Sequence, residues 1–199
     1  NYSLEMRLFS EESQITNRQT DLVIAHQLPC DRGSYDYLSK IQQAGIPILY
    51  ILGSKSDYAL FNKLNTGLIV NLYNNKTKTD AQASFNSAFA LFSLNEQCSE
   101  MIKDFPPLNA PLARLVVSPG TQTLAYQYIA GAKSEYPLLC FTNNPQQKNG
   151  IVCGENIWRW RMQNYLMNQS HEQADEIINK SIRYLVSSAD KSLFRVNHD

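Results

Sequence analysis

Two nearly continuous apolar runs, DLVIAH at 21–26 and IPILYIL at 46–52, bracket an amphipathic segment, SYDYLSKIQQAG at 34–45. Runs apolar on both faces suit strands buried in a parallel sheet, and a parallel pair needs a crossover of about this length. In the intervening segment Tyr35, Leu38 and Ile41 fall at helical spacing, and Gly45 supplies a stop before Pro47 opens the second run. The order predicts a βαβ unit, and therefore helices on the faces of a parallel sheet.

The remaining elements follow from the same signals. LEMRLF at 4–9 reads as a further short strand, and GSKSDYALFNKL at 53–64 as a turn entering a helix with Ser54 or Ser56 as its N-cap. The stretch 71–86, rich in Asn, Lys and Thr, reads as a surface excursion. NEQCSEMIKDF at 95–105 reads as helical, whereas the prolines of FPPLNAPL at 105–112 forbid a helix there. RLVVS, TLAYQYIA, YPLLCF and GIVCG then predict short antiparallel strands, and IWRWRMQNYLM and HEQADEIINKSIRYLV two closing helices. Ser170 is the expected N-cap of the last helix, with Gln173 in the capping-box position. The fold class expected is α/β: a three-layer, mainly parallel flavodoxin-like sheet with helices on both faces, extended by antiparallel strands from about residue 113 to 154.

At 199 residues, 43% of them hydrophobic, the chain is long enough for a full core and fits one domain better than two. Eighteen Lys and Arg offset eighteen Asp and Glu, which removes the charge footprint expected of a nucleic-acid binder. No apolar run approaches the roughly 20 residues of a spanning helix. The four cysteines, at 30, 98, 140 and 153, lack zinc-ligand spacing. Cys140 and Cys153 lie in strand-like runs joined by NNPQQKNG, so a symmetric hairpin sets them opposite each other, either as two small buried residues or as a disulfide.

Ligands of open α/β sheets collect beyond the C-terminal ends of parallel strands. Here those ends are HQLP at 26–29 and GSKSD at 53–57, which nominates His26, Gly53, Ser54 and Asp57, joined by Glu155 and Arg159 after the last strand. Ser54 or Ser56 with His26 is the simplest nucleophile and base pair. Against it, Ser and Asp after a strand are ordinary caps, and the flanking small residues of a nucleophile elbow are missing. No phosphate loop is present, the three His have no clustered acidic partners, and neither cofactor nor metal is expected.

In WRWR, Trp158, Met162 and Tyr165 fall on one helical stripe with Leu166 beside it, and Trp160 lies roughly 200° round. Trp158 is expected to anchor the helix to the sheet, and Trp160 to be partly exposed or covered by a segment such as FPPL. Glu155 and Arg159, four apart, have the favourable order for an ion pair.

DLVIAHQLP, GIPILYILGS, FPPL and a strand followed by WRWR and a closing helix together resemble the class I glutamine amidotransferase-like fold. The resemblance is narrower still to the variant in bacterial membrane-anchored proteins that also carry a von Willebrand A-type domain. It implies one amidotransferase-like domain over 1–199, excised from a longer envelope protein, on the periplasmic side, with other domains or envelope proteins as partners. It also implies an inactive member. Leu52 stands where the family's nucleophilic Cys belongs, and Tyr50 where the first elbow Gly does. Gln27 and Leu28 replace the two Gly of the oxyanion loop, matched only at Pro29. No His follows the last strand, where Glu155 and Asn156 stand instead. The family normally has a strand and helix before the segment matching NYSLEMRLF. The expected function is therefore an interaction or structural module. The alternatives are a small amide or ester hydrolase using Ser54 or Ser56 with His26, and a small-ligand-binding domain.

Overall fold

The computed structural model describes residues 3–6, 9, 20–73, 78–144 and 147–187. The βαβ unit stands as expected: β1 (Val23–His26), α1 (Arg32–Gln43) and β2 (Ile48–Ile51), with β1 and β2 parallel and Val23 opposite Ile48. Asp31 caps α1 by accepting from the Ser34 backbone N–H at 2.7 Å, while the Ser34 hydroxyl accepts from the Asp31 N–H. The expected strand at 4–9 lies partly outside the described residues, and Leu4 and Met6 stand exposed outside any strand.

After β2 the chain forms α2 (Tyr58–Lys63), β3 (Leu68–Leu72), β4 (Lys78–Phe85), α3 (Glu96–Met101), β5 (Leu108–Pro111) and β6 (Ala113–Val117). It continues through β7 (Gln122–Ile129), β8 (Ala132–Asn144), β9 (Gln147–Val152), α4 (Trp158–Asn168) and α5 (Glu172–Val186). The cap of α2 is Asp57, whose side chain accepts from Leu60 N–H, and neither Ser54 nor Ser56 fills that role. Likewise α5 begins after His171: Ser170 accepts from Glu172 N–H, and Gln173 turns inward to bond Asn164 in place of closing a capping box.

The main sheet runs β1-β2-β9-β8-β7-β4-β5. Its α/β character is as expected: β1, β2 and β9 are parallel neighbours, and β9, β8, β7, β4 and β5 pair antiparallel. The antiparallel part begins at β4, well before residue 113. The polar stretch 71–86 is no loop beyond Lys78, because Ala81 and Ala83 alternate into the core while Lys78 and Asp80 point out. β6 leaves the main sheet to pair antiparallel with β3.

Two apolar cores flank the sheet. Ala25, Ile48, Tyr50 and Ile151 meet Leu38 and Ile41 of α1, Phe61 of α2 and Leu68 and Leu115 of the small sheet. On the other side Leu49, Leu124, Leu139 and Val152 meet Cys98, Trp160, Ile177 and Leu185 of α3, α4 and α5. Successive residues of β2 thus serve opposite cores, as a doubly covered strand requires. Cys140 and Cys153 are both buried and free; Cys140 pairs with Ile151, so the two cysteines sit diagonally and not opposite each other.

The antiparallel half rolls up. β5, at the far edge of the sheet order, meets the turn after β9 through reciprocal backbone bonds, Asn109 N–H to Glu155 O at 3.3 Å and Glu155 N–H to Asn109 O at 3.1 Å. Gly154 makes the approach feasible, since a Cβ there would stand 2.9 Å from the Leu108 Cβ.

Candidate functional site

The C-terminal ends of β1, β2 and β9 lie side by side, and the polar residues after them converge on one carboxylate. Glu155 is buried. Its Oε2 accepts from both the backbone N–H and the hydroxyl of Ser54, each at 2.9 Å, and its Oε1 accepts from the Lys78 ammonium at 2.6 Å. Burial pushes the Glu155 carboxyl upward, but the Lys78 ammonium and the two Ser54 bonds outweigh it and hold the pKa below the usual value.

Each part of this arrangement has a local cause. Gly53, two residues past β2, lies against the carboxylate, where a Cβ would come within 2.8 Å of Glu155 Oε2 and 3.0 Å of Gln27. Ser56 folds back to accept from Gly53 N–H at 3.1 Å, and the Tyr58 hydroxyl donates to Gly53 O at 3.1 Å. Burial, then the nearby Cys153 and Glu155, push the Tyr58 pKa upward, so that hydroxyl stays protonated. The turn after β1 is fastened to the same place: Gln27, at positive φ before the cis Leu28–Pro29 bond, accepts from Lys55 N–H at 3.0 Å, and Pro29 O accepts from Asp57 N–H at 2.7 Å. Beyond Glu155, Asn156 at φ 77 donates to Asn109 Oδ1 at 2.6 Å, and Asn109 donates to Asp80 at 2.9 Å. Asparagine is among the few non-glycine residues that enter that backbone region readily.

Of the residues nominated from sequence, Gly53, Ser54 and Glu155 meet. Asp57 spends its side chain capping α2. His26 is exposed at the end of edge strand β1, opposite in register to Ile51, and bonds neither serine. The Ser54 hydroxyl donates to Glu155 and that of Ser56 accepts from Gly53. The expected pairing of Glu155 with Arg159 does not form: the carboxylate turns to Lys78 and Ser54, and Arg159 forms no side-chain hydrogen bond or ion pair among the described residues. Leu52 is fully buried in the core under α1 and α2. Lys78, Asn109 and Gln27 complete the site and were not nominated. The signal for Lys78 was the Ala81/Ala83 alternation that marks its segment as a strand.

Chemically, the cluster holds a charged carboxylate still. A base must be ready to take a proton near the working pH, and this one is biased toward staying ionised. The Ser54 hydroxyl donates to a carboxylate that is a strong hydrogen-bond acceptor but a weak base, so the hydroxyl is oriented but not activated. Among the described residues no group of three His, Cys, Asp or Glu is placed to hold a metal, and no helix is long and apolar enough to cross a membrane.

No protein-family model matches the chain, and no curated protein sequence matches it either. Among solved structures, similar chains include a cytoplasmic protein of Salmonella typhimurium (16% identity, TM-score 0.46, covering 83% of this chain and 71% of that one). A second, from Salmonella typhimurium LT2, has 14% identity, TM-score 0.47 and coverages of 80% and 71%. The β-galactosidase of Rahnella sp. R3 has 15% identity and TM-score 0.45; the match covers 82% of this chain but only 23% of the enzyme. Overlaps this loose carry no argument about fold or function.

Proposed function

We propose that this chain is a catalytically silent, amidotransferase-like domain, a flavodoxin-like three-layer sheet carrying a rolled antiparallel extension, that serves as an interaction module of a bacterial envelope protein. The observation that carries the reading is the occupation of the strand-end site by its own residues. Glu155 spends both carboxylate oxygens on Ser54 and Lys78, across segments far apart in sequence, and so closes the roll from β4 and β2. Where the family resemblance places the nucleophile, Leu52 packs into the core. Among the described residues the strand-end cluster holds neither an activated nucleophile nor a base, which favours a role in surfaces over one in chemistry. The periplasmic setting and the von Willebrand A-type context belong to the same proposal and rest on the resemblance of WRWR and the closing helix.

The hydrolase reading based on Ser54 or Ser56 with His26 draws no support from the hydrogen bonding. The test is steady-state hydrolysis of glutamine and of a p-nitrophenyl ester by the wild type and Ser54→Ala. Both proteins are expected at the buffer rate; turnover that vanishes in Ser54→Ala overturns the proposal.

A further inference from the structure

Three donors beyond the parallel strand ends close on one carboxylate: the Ser54 backbone N–H, the Ser54 hydroxyl and the Lys78 ammonium. The first two meet Glu155 Oε2 at 2.9 Å each, and the third meets Oε1 at 2.6 Å. Donors divided in this way over two oxygens are what a protein uses to hold a carboxylate ligand, each bond being strengthened by charge. Here the carboxylate is the chain's own.

The donors are placed by contacts that do not involve the side chain they hold. Gly53, before Ser54, is fixed by its N–H on Ser56 Oγ and by its O under the Tyr58 hydroxyl, each at 3.1 Å. Lys55, after Ser54, donates its N–H to Gln27 Oε1 at 3.0 Å. Lys78 is set by its register opposite Pro111 at the start of β4. The turn that carries Glu155 is fixed by its own backbone bonds to Asn109. The other carboxylate of β4, Asp80, is engaged by Asn109 Nδ2 at 2.9 Å. Removing the Glu155 carboxylate therefore leaves the cradle standing with an ammonium to neutralise. Ser54 and Lys78 are exposed while the carboxylate between them is buried, so the donors are reachable from solvent.

We infer that this cradle is a carboxylate-binding site with a tethered occupant, and that the ligand class it takes is a small aliphatic carboxylate entering in place of the Glu155 side chain. The inference goes beyond the silent-domain reading, since binding asks no reaction of Ser54. A tethered group competes as though present at millimolar concentration or above, so acetate does not displace it from the wild type. A ligand that does so must add contacts beyond its carboxylate. Glu155→Ala deletes a methylene and a carboxylate, the heavy atoms of acetate, and opens the cradle to the free anion.

The test is acetate titration of the full chain carrying Glu155→Ala, at an ionic strength held constant with chloride, followed by the Ser54 amide resonance and by thermal unfolding. A saturable shift of that resonance in the millimolar range and a rising unfolding midpoint are expected, with neither response in the wild type nor with acetamide. Adding Lys78→Met should weaken binding about tenfold, as the loss of a hydrogen bond to a charged group does. The inference is overturned if folded Glu155→Ala gives no saturable response, if the wild type responds equally, if acetamide binds as tightly as acetate, or if Lys78→Met leaves the affinity unchanged. Should Glu155→Ala be unfolded in chloride, circular dichroism of its refolding in acetate supplies the same reading, and failure to refold in either salt also overturns the inference. Hydrolysis lost in Ser54→Ala would overturn the silent-domain reading and leave the acetate result to stand or fall separately.

Discussion

The Lys78 ammonium lies 2.6 Å from Glu155 Oε1, joining the first residue of β4 to the turn after β9. Together with the Asn109–Glu155 backbone bridge, this closes the rolled half of the sheet where its edge strand returns to the parallel half.

This closure should depend on pH in one direction. The Glu155 carboxyl is held below its usual 4.5, so the unfolded chain binds its proton more readily than the native one. The stabilisation is complete above that value and is lost as pH falls through the lowered native value. Glu155→Gln should lose on the order of 2 kcal/mol at pH 7, since hydrogen bonds to a charged acceptor disappear. Its urea midpoint should also fall less steeply than that of the wild type below pH 4.5.

Gly53→Ala tests the close approach just past β2. The added methyl meets the Glu155 carboxylate at 2.8 Å and Gln27 at 3.0 Å, so Glu155 must leave Ser54 or the strand end must shift. A cost of about 1–3 kcal/mol is expected from thermal or urea unfolding, as for other overpacked sites.

The two tryptophans should behave oppositely. Trp160 is 2% exposed, stacks on Phe105 at 5.1 Å and donates its Nε1–H to Pro106 O at 2.9 Å. Trp160→Ala should cost about 3–5 kcal/mol, whereas Trp158→Ala should stay within about 0.5 kcal/mol. Denaturant curves of the two variants decide between this and the reverse assignment.

The thiols should separate by reactivity. Cys30 is exposed, while Cys98, Cys140 and Cys153 are buried and free. Burial, then the Glu176 charge, push the Cys98 pKa up to about 12. Cys153 is likewise raised, by its contact with Cys140 and by burial. A thiol-disulfide dye should titrate one cysteine quickly in the native protein and the other three only on unfolding.

The parallel βαβ start and the two closing helices were legible because apolar runs and helical spacing are local signals. The strand-end location of the site was legible too, through Gly53, Ser54 and Glu155. Its organising contacts were not: Lys78 lies 77 residues and Ser54 101 residues from Glu155 along the chain. No local pattern records that the sheet rolls up to bring them together. Helix α4 misled for a different reason. Its apolar stripe is the outward face, while its inner face holds Asn164, which stays buried by bonding Gln173 and the Ala174 N–H, and Trp160, tied to Pro106 O. Polar groups satisfied in this way break the rule that the apolar stripe faces the core.

The central claim, that the strand-end serine is oriented but not activated, is tested most directly by a fluorophosphonate probe of reactive serines followed by intact mass and peptide mapping. The account predicts no adduct at Ser54 or Ser56 in the native protein. A stoichiometric adduct at Ser54, lost in Ser54→Ala and on unfolding, would contradict it.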